Sequence, residues 1–443
     1  MKLTYPQLLL LMVLASWSLS ANALEFIVNH TLDAPESNPG DGVCSPVDAL
    51  PGTCSLRAAI MEANANPGPH TIFLASGSYS LSRTGVGENQ ADTGDLDIHQ
   101  DITIVNATQN PPSIWGMFAD RIFEVHSGAR LKLINIDIAG GQANVPGTTR
   151  GGAIEVNANA TLELERVSVS SNIANIGGAI YSDGNVEIRD SLFYFNVLTD
   201  EHTLAEFANG AAILSRGTLR IERSTFRSNG VMPGDGGMFL PGRYAVHGRL
   251  GFAASPVTWI INSTFYDNTN GVFSDGVPMA VLNSTLVRNG FRGIRFLPDV
   301  NAGTDEQLVI TNTVLYGHTG DCNGLPTDQP QYIVANHHNA SSDETCGFTG
   351  DNDHQNISWP FQGDAGFHGG YTETFMPRPN GLLIDSQDAT CFFNIHTDQR
   401  GEARPVDGKG DGFSFCDIGA VEYNPAFDPI LEEAIFSDRF VKP

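Results

Sequence analysis

The sequence predicts an all-β protein built as a parallel β-helix, in which short strands from successive coils stack into parallel sheets. Three observations predict it. Charged residues are only 17% of the chain and 47 residues are glycine, which favours turn-rich β structure over a helical bundle. Between about residues 120 and 320, apolar strands and polar turns recur with a common outline. The spacing varies around two dozen residues, as expected when each coil is one unit and insertions fall in its loops.

Two short motifs mark the coils. GGAI or GAAI occurs at residues 151–154, 177–180 and 210–213, and TLEL at 161–164 is one of the alternating strands that follow. The second motif ends in asparagine, as in SLFYFN and STFRSN, and its terminal residues are Asn172, Asn196, Asn229, Asn268 and Asn289. We expect these asparagines to adopt the left-handed region and to stack as a ladder that satisfies buried amides.

Both ends of the chain differ from the repeats, as the open sheet edges of a solenoid require. SLRAAIMEAN at residues 55–64 has apolar residues at helical spacing, which predicts a capping helix with Ser55 as its N-cap. Beyond Cys322 the outline gives way to a stretch rich in glycine and aspartate that holds four of the six cysteines. The predicted division is a signal peptide at 1–23, an N-terminal cap with the first coils at 24–120, repeats at 121–321, a C-terminal region at 322–425 and a tail at 426–443.

Charge and the N-terminus limit the classes of function. The formal net charge of −26 argues against nucleic acid or an anionic membrane as partner. It would also repel an acidic polysaccharide unless Ca²⁺ or a local arginine cleft intervened. Lys2, an apolar run and ANA at 21–23 predict a signal peptide cleaved after Ala23, and no later apolar run reaches the roughly 18 residues that span a bilayer. We expect a secreted or surface-exposed protein.

The cysteines predict disulfide bonds. An even number in an exported chain, with no CxxC pair, favours disulfides over a zinc site. The six residues are Cys44, Cys54, Cys322, Cys346, Cys391 and Cys416. Many connectivities are open to them, and proximity in the sequence favours pairing each with its neighbour in that order.

Motifs near both ends resemble known bacterial families. GTCSLRAAI at 52–60, followed by TGDLDI at 93–98, resembles the signature of CSLREA-domain proteins, with Ala58 where the family has Glu. The second bond of a capping box is therefore absent and Ser55 caps alone. DQRGEARP at 398–405, DGKGDG at 407–412 and CDIGAVE at 416–422 resemble the choice-of-anchor Q domain. The resemblance implies a right-handed β-helix of the pectin-lyase-like superfold at a bacterial cell surface, but no sortase motif or hydrophobic tail follows Glu422.

The first candidate chemistry is that of a polysaccharide lyase. β-Elimination on an acidic polysaccharide needs a base beside the uronate and a cation that neutralises its carboxylate. Asp267 and Asp275 are candidate metal ligands for such a site. The densest cationic stretch supplies the candidate base, and its residues are Arg288, Arg292 and Arg295, with Arg243 and Arg249 nearby in the sequence.

The second candidate chemistry is a calcium site in the C-terminal region. Asp407 and Asp411 stand in an Asp- and Gly-rich loop with Asp417 nearby, but Lys409 occupies a ligand position of the usual calcium loop. The alternative is a turn pinned by the neighbouring cysteines. We expect no required cofactor, with Ca²⁺ as the candidate ion.

The leading hypothesis for function is binding without catalysis, with a polysaccharide or another cell-surface component as the partner. The alternative is the lyase. A binder is expected to show aromatic residues along one face, and an enzyme a cleft of cations and carboxylates. Several aromatic residues sit in repeat strands, and about half must point inward by alternation. They are Phe193, Tyr194, Phe226, Phe265 and Tyr266.

Overall fold

A computed structural model describes residues 23–47, 50–144, 149–199, 209–230, 243–250, 256–298, 308–323, 333–386 and 391–428. Residues 1–22 of the predicted signal peptide and 429–443 of the predicted tail lie outside these ranges. No helix in the described ranges is long and apolar enough to cross a membrane.

Three long parallel sheets make up the fold. The first sheet consists of Glu25–Val28, Pro69–Leu74, Asp101–Asn106, Arg130–Ile134, Thr161–Glu165, Asn185–Arg189, Leu219–Glu222, Thr258–Ile261, Met279–Leu282, Leu308–Thr311 and Ile333–His337. The second sheet consists of Leu96–Ile98, Phe123–Val125, Ile154–Val156, Ile180–Ser182, Asn209–Ser215, Arg243–Arg249, Val272–Asp275, Arg292–Leu297 and Gly320–Asn323. The third sheet consists of Ser78–Ser80, Ser113–Trp115, Asp137–Ala139, Ser168–Ser170, Leu192–Tyr194, Thr225–Arg227, Thr264–Tyr266, Thr285–Val287, Val314–Tyr316 and Ala340–Ser341. A short fourth sheet pairs Gln142–Ala143, Ile173–Ala174 and Val197–Leu198.

The pairing of these strands confirms the predicted parallel β-helix. Each coil contributes one strand to the second, the first and the third sheet in turn, and each strand pairs in parallel with its counterpart one coil away. Alternate residues point inward, so Leu131, Leu162 and Val186 form one buried row. The rings of Phe193, Phe226 and Phe265 stack inside the solenoid with centroids 4.6 and 4.7 Å apart.

The asparagine ladder is confirmed, but its backbone differs from the expectation. Asn196 is fully buried, donates from Nδ2 to Oδ1 of Asn229 at 2.9 Å, and accepts at its own Oδ1 from Nδ2 of Asn172. The positive φ lies one residue earlier in each coil, at Phe195 (54°) and Ser228 (52°) for example. The preceding residue makes the turn, and the asparagine side chain points into the coil.

The two glycines of the GGAI motif have different structural roles. Gly151 and Gly177 both have a φ of 63°, a region that glycine adopts without strain. A side chain on Gly152 would meet the carbonyl oxygen of Ile173 at 2.6 Å and also that of Gly178. The second glycine therefore allows adjacent coils to approach closely.

The predicted N-terminal helix is confirmed at Leu56–Ala65. Its N-cap is Ser55, whose side chain accepts a hydrogen bond from the Ala58 N–H at 3.1 Å. The helix packs on the first strands of the first and second sheets. Arg57 is buried and donates to the Asp33 carboxylate and to the carbonyl oxygens of Ala91 and Gly94. This arginine therefore joins the helix to the TGDLDI segment.

The C-terminal region closes the solenoid and then turns back along its flank. Phe348 and the disulfide Cys322–Cys346 complete the core at the last coil. Residues beyond about 357 then cover the outer face of the third sheet, where Phe361 and Phe375 pack on Tyr266 and Val287. The other disulfides are Cys44–Cys54 and Cys391–Cys416, so all three predicted pairs are confirmed.

Polar residues of the 398–422 segment hold this region in place. Gln399 is buried, donates to Oγ1 of Thr225 at 2.9 Å and accepts from Oγ1 of Thr264 at 2.6 Å. The carbonyl oxygen of Asp417 accepts from Nδ2 of Asn312 at 2.7 Å. These hydrogen bonds attach the C-terminal region to the solenoid, which gives the polar residues of the 398–422 segment a structural role.

Candidate functional site

One outward-facing row of residues on the second sheet contains many of the charged and aromatic side chains of the solenoid. Its residues in register are Asp97, Glu124, Glu155, Tyr181, Leu214, His247, Phe273, Arg295 and Asn323. The row is acidic on the first three coils and mixed further along, where it includes Tyr181, Phe273 and Arg295. Although it lies outside the core, Glu155 is 7% exposed and Tyr181 3%. These side chains therefore lie in a partly enclosed environment.

Three arginines surround a cavity on the middle coils of this face. We call the site formed by Arg150, Arg216, Arg249 and Tyr181 the arginine pocket; its volume is about 500 Å³. The guanidinium of Arg150 lies 4.7 Å from the ring centroid of Tyr181, and Arg216 donates to the Tyr181 hydroxyl at 3.0 Å. Thr149, Ile176, Leu214 and Leu250 complete the lining.

Each of these arginines has an acidic partner in the outer part of the ion-pair range, and Arg216 Nη1 lies 3.4 Å from the Asp183 carboxylate. Arg150 Nε is 3.6 Å from the Glu155 carboxylate, and Arg249 Nε is 3.7 Å from that of Asp275. The side chains of Arg150 and Arg249 are 43% and 40% exposed. Ion pairs at such sites contribute about 1 kcal/mol or less, so a carboxylate on a ligand can compete for these guanidinium groups.

A buried charge cluster occupies the same face on the first coils. We call Asp95, Asp97, Asp120, Glu124 and Glu155, grouped around Arg121, the acidic cluster. Arg121 Nε lies 3.1 Å from Asp95 Oδ2, and its Nη1 is 3.4 Å from the Glu124 carboxylate and closer still to that of Glu155. Burial raises the pKa of Asp95 well above its usual range, against the opposing charge of Arg121. Burial also raises the pKa of Asp120 to about 6.

The raised pKa of Asp120 predicts a pH dependence of stability. A carboxyl group whose pKa is about 6 when folded and 3.8 ordinarily binds more protons in the folded state between those values. Its stabilising contribution is complete below pH 3.8 and is lost as the pH rises through 6. We therefore compare the unfolding free energy of Asp120→Asn with that of the wild type at two pH values. The difference between them should shift in favour of the variant by about 2 kcal/mol when the pH is raised from 4 to 7.5. Urea unfolding at both pH values measures this, and an equal difference at the two would contradict it.

The structure divides the predicted lyase arginines between two sheets. Arg292 and Arg295 lie on the second sheet, where the Arg295 guanidinium is 4.8 Å from the Phe273 ring centroid. Arg288 lies instead on the flank of the third sheet, bonded to Asp267 at 3.0 Å and Asp364 at 2.7 Å. The three candidates therefore do not lie on one face, because the chain turns between the third and second sheets at residues 288–291.

The predicted calcium ligands do not converge. Asp407 accepts hydrogen bonds from the N–H groups of Gly410, Asp411 and Gly412, which forms a self-contained turn. Asp417 is fully buried and accepts from the N–H groups of Asp385 and Tyr423. Among the described residues, the groups of three ligating side chains within 4.8 Å of one another lie elsewhere, in and beside the acidic cluster. A calcium ion at this loop stays a prediction.

Sequence reasoning missed most of the arginine pocket. Arg249 stood among the neighbours of the lyase candidates, whereas Arg150 and Tyr181 were not singled out. A usable signal was present, since Arg150 directly precedes one GGAI motif and Tyr181 directly follows the next. Aligning the two motifs as adjacent coils places Arg150 opposite Ile176 and Tyr181 opposite Glu155, so both residues flank the paired motifs.

Comparisons with known proteins give limited information. No family model and no curated protein matches the chain. A crystal structure of the pectate lyase Pel9A is similar, with a TM-score of 0.46 and 15% sequence identity over 91% of this chain and 98% of that chain. The fold itself rests on the strand pairing described above, and this likeness says nothing about activity.

Proposed function

We propose that the protein binds an acidic glycan in the arginine pocket and does not cleave it. The supporting observation is the local concentration of Arg150, Arg216 and Arg249 around one cavity in a chain of net charge −26. Such a charge repels polyanions in general, so a cluster of cations with part-exposed guanidinium groups favours a specific anionic ligand. Arginine also suits carboxylates because its planar fork binds them through two hydrogen bonds.

The rest of the pocket supports a sugar as the carrier of that negative charge. Its volume of about 500 Å³ lies in the range of small-ligand sites. Tyr181 is buried in the cavity wall, with its ring beneath the Arg150 guanidinium and its hydroxyl bonded to Arg216, so it holds two of the cations in place. A uronic-acid or sulfated unit of a polysaccharide suits a cavity of this size lined by fixed cations.

The alternative function is β-elimination in the same pocket. The Tyr181 hydroxyl lies 3.0 Å from Arg216 Nη1 and 3.1 Å from Asp183 Oδ2, which places a proton-exchanging group beside the cations. In this arrangement the Tyr181 hydroxyl donates a hydrogen bond to the Asp183 carboxylate. Because a lyase needs a group that accepts a proton from the sugar, binding is the better supported function.

Retention on immobilised polysaccharides tests both functions. We expect wild-type protein to be retained on acidic but not on neutral polysaccharides, with no formation of unsaturated ends, in the presence or absence of Ca²⁺. Arg150→Ala and Arg249→Ala should each lower the affinity about 10-fold or more, since each loses a charge-assisted contact. Arg189→Ala is the matched control, because that side chain is 42% exposed on the first sheet.

Each other outcome assigns the protein differently. Unsaturated ends that vanish in Tyr181→Phe would establish the lyase. Equal retention of the pocket variants and the wild type would place the glycan elsewhere. Retention on neither class of polysaccharide would contradict glycan binding and leave another cell-surface component as the candidate partner.

We also propose that the chain acts outside the cytoplasm, at the cell surface or released from it. The three disulfides support an oxidising compartment. N-terminal sequencing of the exported protein tests the cleavage site, and we expect it to begin at Leu24.

A further inference from the structure

A second site lies at the edge of the acidic cluster, on the first coils and apart from the arginine pocket. Asp97, His99 and His126 each offer one ligating atom, and these atoms lie within 4.8 Å of one another. Asp97 is fully buried, and its Oδ1 is 2.7 Å from Nε2 of His126. The two imidazole rings stack with centroids 4.1 Å apart. Two imidazoles and one carboxylate are therefore close enough together to be candidate ligands of one ion.

Groups outside the triad hold its side chains in orientations suited to metal binding. Nε2 of His99 lies 2.9 Å from the carbonyl oxygen of Asn89, so a neutral ring donates there and keeps Nδ1 as an acceptor. Oδ2 of Asp97 accepts from the Ala91 N–H at 2.8 Å, which leaves Oδ1 directed at His126. Metal-binding histidines commonly donate their second N–H to a backbone carbonyl in this way.

The surroundings supply both an entry path and an excess of negative charge. A cavity of about 420 Å³, formed at the end of the capping helix by residues including Met61, Asn64 and Gln90, is lined by His99. On the other side lie the carboxylates of the acidic cluster grouped around Arg121, and Asp95, Asp97 and Glu124 form a second group of three within 4.8 Å. A cation placed at the triad would reduce this repulsion.

We propose that Asp97, His99 and His126 bind a divalent transition-metal ion such as Zn²⁺. Imidazole nitrogen with one carboxylate suits zinc, whereas Ca²⁺ requires six or more oxygen ligands. Binding requires the neutral His126 tautomer with its proton on Nδ1, 3.8 Å from a Glu124 carboxylate oxygen, so that the Nε2 lone pair faces the ion beside Asp97 Oδ1. Three protein ligands leave one tetrahedral position for water or for a donor atom of a ligand in the cavity.

Metal retention by the untagged, disulfide-bonded mature chain tests this site. The protein is saturated with Zn²⁺, passed through gel filtration in metal-free buffer and analysed for metal content. We expect about one Zn²⁺ per chain in the wild type and at least a 10-fold weaker affinity in His99→Ala and in His126→Gln. His396→Ala should retain the ion, because His396 is exposed in the C-terminal region.

The result is independent of glycan binding and of folding. Circular dichroism of each variant establishes that it is folded, and the part-exposed His99 provides a substitution that removes little packing. No retained zinc in the wild type would overturn the proposal. The proposal would also be overturned if both histidine variants retained as much Zn²⁺ as the wild type, or if an equal concentration of Ca²⁺ displaced the Zn²⁺.

Discussion

Phe226→Ala is expected to lower the free energy of unfolding by about 3–5 kcal/mol. Phe226 is fully buried, and its ring stacks between those of Phe193 and Phe265 with interplanar angles of 8° and 4°. Truncation removes apolar burial and both ring contacts, and it leaves a cavity in the middle of the stack. The coils above and below cannot move together to fill it, because backbone hydrogen bonds of three sheets fix their spacing.

Urea unfolding, compared with that of Phe195→Ala, measures this effect. Phe195 directly precedes the ladder residue Asn196 and is 41% exposed, so its truncation should cost less than about 1 kcal/mol. Equal effects of the two substitutions would show that the phenylalanine stack contributes no more than surface packing.

Arg404→Met is expected to destabilise the C-terminal region by about 3–5 kcal/mol at neutral pH. The side chains of Arg404 and Glu422 are both 0% exposed, with Nε 2.8 Å from Oε2, and Arg404 also donates to the Gly419 carbonyl oxygen. Asp417 is buried next to Glu422 and donates its N–H to the Glu422 carboxylate. Burial and mutual repulsion raise the pKa of Asp417 well above its usual range, and Arg404 opposes this rise. Removing the arginine leaves two adjacent carboxylates without their cation.

The double variant Arg404→Met/Glu422→Gln provides the control. It removes one of the buried negative charges, so it should recover much of the stability lost in Arg404→Met. The defect of the single variant should also shrink as the pH falls, because protonation neutralises the same carboxyls. A defect that is unchanged in the double variant and at low pH would show that lost packing of the arginine, not charge, causes it. Hydrogen exchange of residues 398–422 follows the region directly.

The repeats could be predicted because the residues that determine each coil lie close together in the sequence and recur in the next coil. Phe193, Phe226 and Phe265 stand at the same place in successive motifs, and the ladder asparagines follow them at a fixed distance. The capping helix could be predicted for the same reason, because its N-cap Ser55 and its apolar residues lie in one short segment. Disulfide pairing followed from sequence proximity because each bond closes a short loop.

The sites could not be predicted in the same way, because they depend on which coils become neighbours. Arg150, Arg216 and Arg249 are far apart in the sequence, and only the register of the second sheet brings them to one cavity. The density of arginine along the chain was a poor guide to the site, because Arg288 and Arg295 are close in the sequence but lie at different sheets. Nothing local in the 398–422 segment indicates that Gln399 reaches Thr225 on the flank.

The affinity for a defined oligosaccharide tests the central claim most directly. Calorimetry compares an oligomer of uronic acid with the same oligomer after reduction of its carboxylates to neutral alcohols. If the arginine pocket recognises negative charge, the acidic oligomer binds at least 10-fold more tightly than the neutral one, and Arg150→Ala/Arg249→Ala abolishes that difference. Equal affinities of wild-type protein for the two oligomers, or a preference that survives in the double variant, would contradict acidic-glycan binding in this pocket.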